Sequence, residues 1–383
     1  MESIEIKYFL LFSVILIFPK ILLRFHIPTA LTSLSLGFLT AHTLGWFEND
    51  QLLLMLSRLG ITSLFLFAGM EVEIDELKKN ATVLSRHLVV VTIMIFLTGF
   101  IVFYFFEHDF RISLLLALGL MTPSTGFILN SLSGFQLGER QEKWIRSIAI
   151  SKELVAIFLL FFMLQTESLK GFLISTASLI LMIALLPVVF KFFLKAVAPF
   201  APDSEVSFLI LIALLCGVVT MKLGTYYLVG AFIVGMTAGR FKHFIHNDNS
   251  KQMLYALNLF FSFFVPFYFF RAGLTFPADV LSWKGVSTGI LFLGVFLPLR
   301  YFSTISTIWL FLRDSWKDRV SISVPLLPTL IFGLVIATIL REKLGAPDHL
   351  VAGLIIYTLG SSIIPWFFLK KAPPENYDAS IVQ

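Results

Sequence analysis

Apolar runs of about 20 residues recur from one end of the 383-residue sequence to the other, with short polar breaks between them. No other feature constrains the fold as much. In hydrocarbon every backbone N–H and C=O needs a partner within the chain, so runs of this length and composition must be helices. Charged residues make up 14% of the sequence, where a water-soluble domain carries roughly 25%. The expected fold is therefore an all-α, polytopic membrane protein. About thirteen spans are expected, near 7–25, 28–46, 51–70, 87–106, 112–132, 145–165, 171–194, 206–222, 224–240, 253–274, 285–311, 320–340 and 348–369. The first run has no small-residue cleavage site after it and reads as a retained helix. The lone Cys216 cannot form an internal disulfide.

The net charge of +5 is explained by topology rather than by nucleic acid. Roughly 18 Lys and Arg fall in one set of alternate loops, among them Lys78, Lys79, Arg86, Arg140, Lys143, Arg146, Arg240, Arg319, Lys370 and Lys371, against roughly 7 in the other set. That bias places the N-terminus outside and the C-terminus in the cytoplasm. Thirteen spans divide into two sixes around a seventh, and the two sixes start on opposite sides of the membrane. This is the arithmetic of an inverted repeat. The fifth span of each half carries helix breakers: Gly119, Pro123 and Gly126 in the first, Pro325, Pro328 and Gly333 in the second. Proline removes a donor and frees carbonyls that then need other partners, so both spans are expected to unwind in the middle. The expected organisation is a membrane domain over 1–371 and a short cytoplasmic tail over 372–383.

Among 24 acidic residues, Glu153 alone falls deep inside an apolar span. A charge at the bilayer centre costs about 2.5–3.5 kcal/mol on insertion scales and is a functional hypothesis by default; the plain alternative is a structural ion pair. Glu71, Glu73, Asp75 and Glu76 cluster at the end of the third span, with Glu71 a secondary candidate. Four cations lie within spans: Arg58, Lys152, Arg271 and Arg300. Neighbours in a helix point about 100° apart, so Lys152 and Glu153 do not face each other. Arg300 is the expected charge partner of Glu153, while Arg58 and Arg271 read first as structural, with Arg271 a secondary candidate beside Glu71. His26, His42, His87, His108, His243, His246 and His349 lie near span ends without metal-ligand spacing. No phosphate loop, nucleophile elbow or catalytic carboxylate pair is present, so nothing in the sequence points to an enzyme.

These residues, taken together, resemble the monovalent cation:proton antiporter-2 family, the Kef-type and bacterial sodium/proton exchangers. The likeness rests on Ile21 to Pro28, on Leu66 to Leu77, on Met121 to Leu129 and on Phe263 to Leu274. The family's carboxylate pair falls on Lys152–Glu153 and its intramembrane base on Arg300. The resemblance implies a homodimer. A dimerisation part would cover about 1–80 and 205–275, and a core part about 85–165 and 283–370, with a linker helix over about 171–194. It implies ion and proton binding at Glu153, Lys152, Thr122, Ser124 and Thr125. Pro123, Gly126, Pro325, Pro328 and Thr329 would supply the broken-helix backbone. The sequence departs from the family in having Glu where Asp is usual and Lys152 where Asn or Asp precedes it.

The expected function is secondary active exchange of a monovalent cation (Na+, K+ or Li+) for protons across a bacterial inner membrane. One intramembrane carboxylate would serve both ions, with no bound cofactor and no partner beyond the bilayer and a second copy. Two other readings stay open. Lys152 could lock a transport-incompetent structural or sensory relative, or Lys152, Arg271 and Arg300 could draw in an anion or organic acid.

Overall fold

The computed structural model describes residues 4–371 apart from 24, 26, 48, 73, 133, 166–168, 202–203, 224–227, 242–259 and 261–262. Arg24, His26, Glu73, His243, His246 and the 372–383 tail lie outside the described residues, as does the Glu76 side chain. The described chain is helical. Its helices are α1 (Ile4–Leu23), α2 (Thr29–Leu44), α3 (Gln51–Met70), the short α4 (Ile74–Lys79), α5 (Ala81–Phe106), α6 (Phe110–Met121), α7 (Thr125–Leu132) and α8 (Glu139–Leu164). Then follow α9 (Leu169–Phe192), α10 (Ser204–Lys222), α11 (Leu228–Phe241), α12 (Phe263–Leu274), α13 (Trp283–Phe311), α14 (Arg319–Ser323), α15 (Leu330–Glu342) and α16 (Asp348–Phe368).

Each expected span overlaps a described helix or broken pair, with 224–227 and most of 253–262 outside the described residues, and thirteen is an approximate count. Among the described residues nine helical segments are long and apolar enough to cross a membrane, or ten when α14 and α15 count as one bent span. The helices α2, α11 and α12 are shorter than a full crossing. Helix starts also differ from the expected ones. Arg140, Lys143 and Arg146, expected in a loop, form the first turns of α8. Gln141 holds that start by accepting from the Gly138 N–H at 3.0 Å. His87, expected at a span end, lies inside α5 because the helix begins at Ala81, and it is 1% exposed.

Lipid offers helices no hydrophobic reason to associate, so close packing must come from small residues that let backbones approach. Two such contacts mirror each other. A Cβ on Gly37 of α2 would meet the Phe270 carbonyl of α12, and one on Gly273 of α12 would meet the Leu34 carbonyl of α2. Likewise a Cβ on Gly69 of α3 would meet the Phe232 carbonyl of α11, and one on Gly235 of α11 the Leu66 carbonyl of α3. The α2–α12 and α11–α3 pairs occupy corresponding places in the two halves of the chain, as an inverted repeat requires. The buried Leu, Ile and Phe of α5, α6, α13, α15 and α16 form a core that continues into α2, α3, α11 and α12. The outward faces of α1, α5 and α9 carry exposed Phe9, Phe105 and Phe192, as lipid contact demands.

The glycine contacts yield a direct test. Gly235→Val should lower the thermal midpoint of the purified protein, because overpacking of this kind costs about 1–3 kcal/mol. Gly294→Ala, where no neighbour lies within 4 Å, should leave the midpoint within about 0.5 kcal/mol of the parent. Equal midpoints for all three proteins would remove the argument from close approach.

Candidate functional site: a crossing of two broken helices

The site begins with Pro123 and Pro328, which cannot donate backbone hydrogen bonds. The span α6–α7 opens over Thr122–Ser124, and α14–α15 opens over a 3₁₀ turn at Val324–Leu326 and on to Thr329, with a bend of 41°. The two openings repair each other. The Ser124 N–H donates to the Pro328 carbonyl at 2.9 Å, and the Ile331 N–H donates to the Ser124 hydroxyl oxygen at 3.2 Å.

Each of those bonds diverts a donor from its helical partner four residues back, leaving carbonyls to be satisfied elsewhere. With the Ser124 N–H on Pro328, the Leu120 carbonyl is free, and the Tyr357 hydroxyl of α16 donates to it at 2.8 Å. With the Ile331 N–H on Ser124, the Leu327 carbonyl is free, and Arg300 of α13 donates to it at 2.7 Å. The other terminal nitrogen of Arg300 donates to the Leu326 carbonyl at 2.9 Å. Arg300 also donates to the Tyr357 hydroxyl at 3.1 Å, so the buried guanidinium serves the carbonyl end of one break directly and reaches that of the other through Tyr357. On the far side of the crossing Thr329 meets Thr358 and Ser361 of α16 at 3.4 and 3.2 Å.

Arg300 is therefore not the partner of Glu153, contrary to the sequence expectation. A guanidinium carries five donors and no acceptor, and the proline-freed carbonyls take them. Among the described residues no ion pair joins Glu153 to a cation. Instead Glu153, 2% exposed on α8, accepts from the backbone N–H of Thr125 at 3.0 Å. Thr125 begins α7, and the first N–H groups of a helix are unpaired donors with partial positive charge. The Thr125 hydroxyl sits beside the same carboxylate but outside hydrogen-bond geometry; the Thr122 hydroxyl, at the start of the same break, is also buried without a hydrogen-bond partner. Carboxylate and hydroxyl oxygens are the donors that small hard cations prefer.

Lys152 points elsewhere, as the 100° step along α8 requires. Its ammonium donates to the Thr304 hydroxyl of α13 at 3.3 Å, away from the carboxylate. Of the broken-helix residues, Gly126 faces Ile331 of α15 and Leu64 of α3, where a Cβ would lie 3.2 and 3.6 Å from their nearest atoms, and Pro325 and Pro328 line a small crevice with Trp366. Glu71 is not part of the crossing. It caps the end of α3, half-exposed, and pairs with Arg146 of α8 at 2.5 Å. Arg271 lies on α12, whose backbone abuts α2 and α3. Among the described residues no group of three His, Cys, Asp or Glu side chains could hold a metal ion. Sequence reasoning missed Tyr357, Thr304 and His87. A tyrosine in the middle of an otherwise apolar last span was the available signal for the first; the threonines read as ordinary span residues.

Two antiparallel broken helices crossing in a bundle, with a buried carboxylate at one half-helix N-terminus, define a secondary transporter of the kind built from inverted repeats. The chain belongs to the sodium/hydrogen exchanger family, whose transmembrane model matches residues 9–370; this is a family of transporters, not enzymes. The probable Na(+)/H(+) antiporter 3 of Methanocaldococcus jannaschii is 26% identical over 288 residues, covering 72% of this chain and 72% of its own. The structure of the sodium proton antiporter MjNhaP1 from the same organism, at pH 8, has the same fold. The match has a TM-score of 0.70 over 94% of this chain and 95% of the other, at 15% identity.

The Tyr357 bridge can be tested directly. Tyr357→Phe leaves the Leu120 carbonyl unpaired and should cost about 1–3 kcal/mol, read as a lower thermal midpoint. A midpoint equal to that of the parent would show that the hydroxyl does not hold the break.

Proposed function

We propose that this chain exchanges a monovalent cation, Na+ in the first instance, for protons, with Glu153 as the shared binding group. One observation carries the reading: Glu153, the one deeply buried carboxylate among the described residues, sits on the unwound start of α7, beside a Thr125 hydroxyl with no hydrogen-bond partner. Protons and cation then compete for the same oxygens, and exchange follows if only the loaded forms move. The side chain of Lys152, bonded to Thr304, leaves those oxygens clear, which speaks against the locked and anion-carrying alternatives.

The surrounding roles belong to the same reading. Thr122, Thr125 and Ser124 contribute oxygen atoms or backbone to the site. Arg300 and Tyr357 hold the carbonyl ends of the breaks. The helices α5–α8 and α13–α16 form a core that moves against α1–α3 and α10–α12, joined by α9. The assembly is a homodimer in a bacterial inner membrane with the N-terminus outside, and the lineage is the antiporter-2 branch of the family. The Lys and Arg bias supports the orientation, and the mirrored glycine contacts support a rigid scaffold beside a mobile core.

Proteoliposomes with an interior pH dye and an outward proton gradient test the carboxylate. Addition of sodium, lithium or potassium salt outside should alkalinise the interior for each cation that is accepted and leave it unchanged for one that is not, and Glu153→Gln should abolish the response. Undiminished flux in that variant would end the proposal. The Arg146–Glu71 pair tests the motion, because it ties the proposed core to the proposed scaffold. Each single neutralisation should change the exchange rate while shifting stability by no more than about 1 kcal/mol, as expected of a half-exposed pair. The charge-reversed double variant, Glu71→Arg with Arg146→Glu, should return the rate toward the parent. A rate untouched by any of the three would mean that α3 and α8 do not separate.

A further inference from the structure

On the Lys- and Arg-rich side of the bundle, α5 and α13 run side by side. His87 of α5 meets Thr307 of α13 at 2.9 Å. One residue earlier, the Arg86 guanidinium lies over the Phe311 ring, 5.8 Å from its centre. Phe311 ends α13, and the chain continues as a 3₁₀ helix, Arg313–Asp318, before Arg319 opens α14. A 3₁₀ helix has three residues per turn, so residues three apart share a face. The sequence thereby sorts this turn into three faces. Ser315 and Asp318 form the inward one: Ser315 is 1% exposed, and Asp318 accepts from Gln141 of α8 at 2.7 Å. Asp314 and Lys317 form the second. Arg313, Trp316 and Arg319 form the third.

That third face carries two cations around an exposed indole and no acid. Arg319 lies over the Trp316 ring, 4.6 Å from its centre, and donates to the Trp316 carbonyl at 3.1 Å, which fixes the pair. Arg313 is exposed, as is Arg86. Among the described residues no ion pair joins Arg86, Arg313 or Arg319 to a carboxylate. Apolar stripes lead up to these cations. On α5, exposed Val89 and Ile93 follow Arg86 at the i+3 and i+7 positions of one helix face. On α13, exposed Phe302 and Trp309 stand one heptad apart. Topology accounts for an excess of cations on this side of the membrane. It does not account for three guanidiniums at one seam, above two lipid-facing stripes, with the acids of the same turn on other faces.

We propose that this seam binds an anionic phospholipid of the adjoining leaflet, its phosphate held by Arg86, Arg313 and Arg319 and its acyl chains lying along α5 and α13. Phosphate oxygens accept from guanidinium N–H groups in the fork geometry that arginine presents. Trp316 supplies an amphipathic ring suited to headgroup depth. A zwitterionic lipid would bring its own cation to a face that holds only cations, so net negative charge is selected. The site is continuous with the second broken span. Arg319 begins α14, which runs into the 3₁₀ turn at Val324–Leu326, so the bound lipid anchors the end of that span at the membrane surface and steadies the fold. The site stands whether or not the chain exchanges cations.

Native mass spectrometry of the full-length protein in detergent, with phosphatidylglycerol or phosphatidylcholine added, reads the site. The parent should retain a first phosphatidylglycerol in preference to phosphatidylcholine. Each cation near the membrane surface adds about fivefold to the binding of an acidic lipid, so Arg86→Gln with Arg313→Gln should weaken that retention about tenfold or more. Lys191→Gln with Lys195→Gln, which removes two cations from the same side at the end of α9, should leave it unchanged. Glycerol phosphate, which carries the headgroup charge without chains, should not displace the lipid. Phosphatidylglycerol should also raise the thermal midpoint of the parent and leave that of the double arginine variant where it was. Equal retention of the two lipids, full retention in the arginine variant, or equal loss in the two double variants overturns the proposal. Displacement by glycerol phosphate, or a midpoint raised equally in parent and arginine variant, overturns it as well.

Discussion

A helix broken inside a membrane leaves backbone groups that water will not reach, and each costs several kcal/mol if left unpaired. The structure depends on how that debt of hydrogen bonds is met. Prolines 123 and 328 open two helices at the same depth, and the openings are laid across each other so that Ser124 supplies one donor and one acceptor to the opposite chain. What this exchange leaves over is a set of carbonyls, and a guanidinium and a phenol satisfy them. The crossing is therefore a closed account of donors and acceptors among α6, α7, α13, α15 and α16. Removing one member leaves another buried group orphaned.

The same polarity decides where charge can sit. Broken helices present N–H groups at the start of one half and carbonyls at the end of the other. Cation and anion are thereby sorted: Arg300 belongs at Leu326 and Leu327, and Glu153 belongs at Thr125. An Arg300–Glu153 ion pair, plausible when charges alone are matched, would strip donors from the carbonyls and fill the carboxylate with a fixed cation. Pairing Glu153 with a backbone N–H instead gives it a weak, neutral partner that a diffusible ion can replace or supplement.

Much of this was legible in the sequence. Length and spacing of the apolar runs suffice for the helices, and the prolines at matched positions suffice for the breaks. The isolation of Glu153 among apolar residues marks it without further help. Partnerships were not legible, because they depend on which backbone groups the crossing diverts, and that is a property of two segments some 200 residues apart. Thus Tyr357 is one aromatic among many until the Leu120 carbonyl is seen to lack its helical donor. His87 looked interfacial because the expected span begins at it, whereas α5 starts earlier, at Ala81. Charged first turns such as those of α8 hide helix starts for the same reason: hydropathy reports where lipid begins, not where the helix does.

Lys152 shows how far one helical step can separate two functions. Adjacent residues on α8 face different helices, so Glu153 looks to α7 and Lys152 to α13. A cation placed on the same face as the carboxylate would occupy the site permanently; one residue earlier, it is carried by a threonine that has already given its own hydrogen away. The two faces share a single turn of backbone. Any shift of α8 that draws Lys152 from Thr304 also displaces the carboxylate relative to the start of α7.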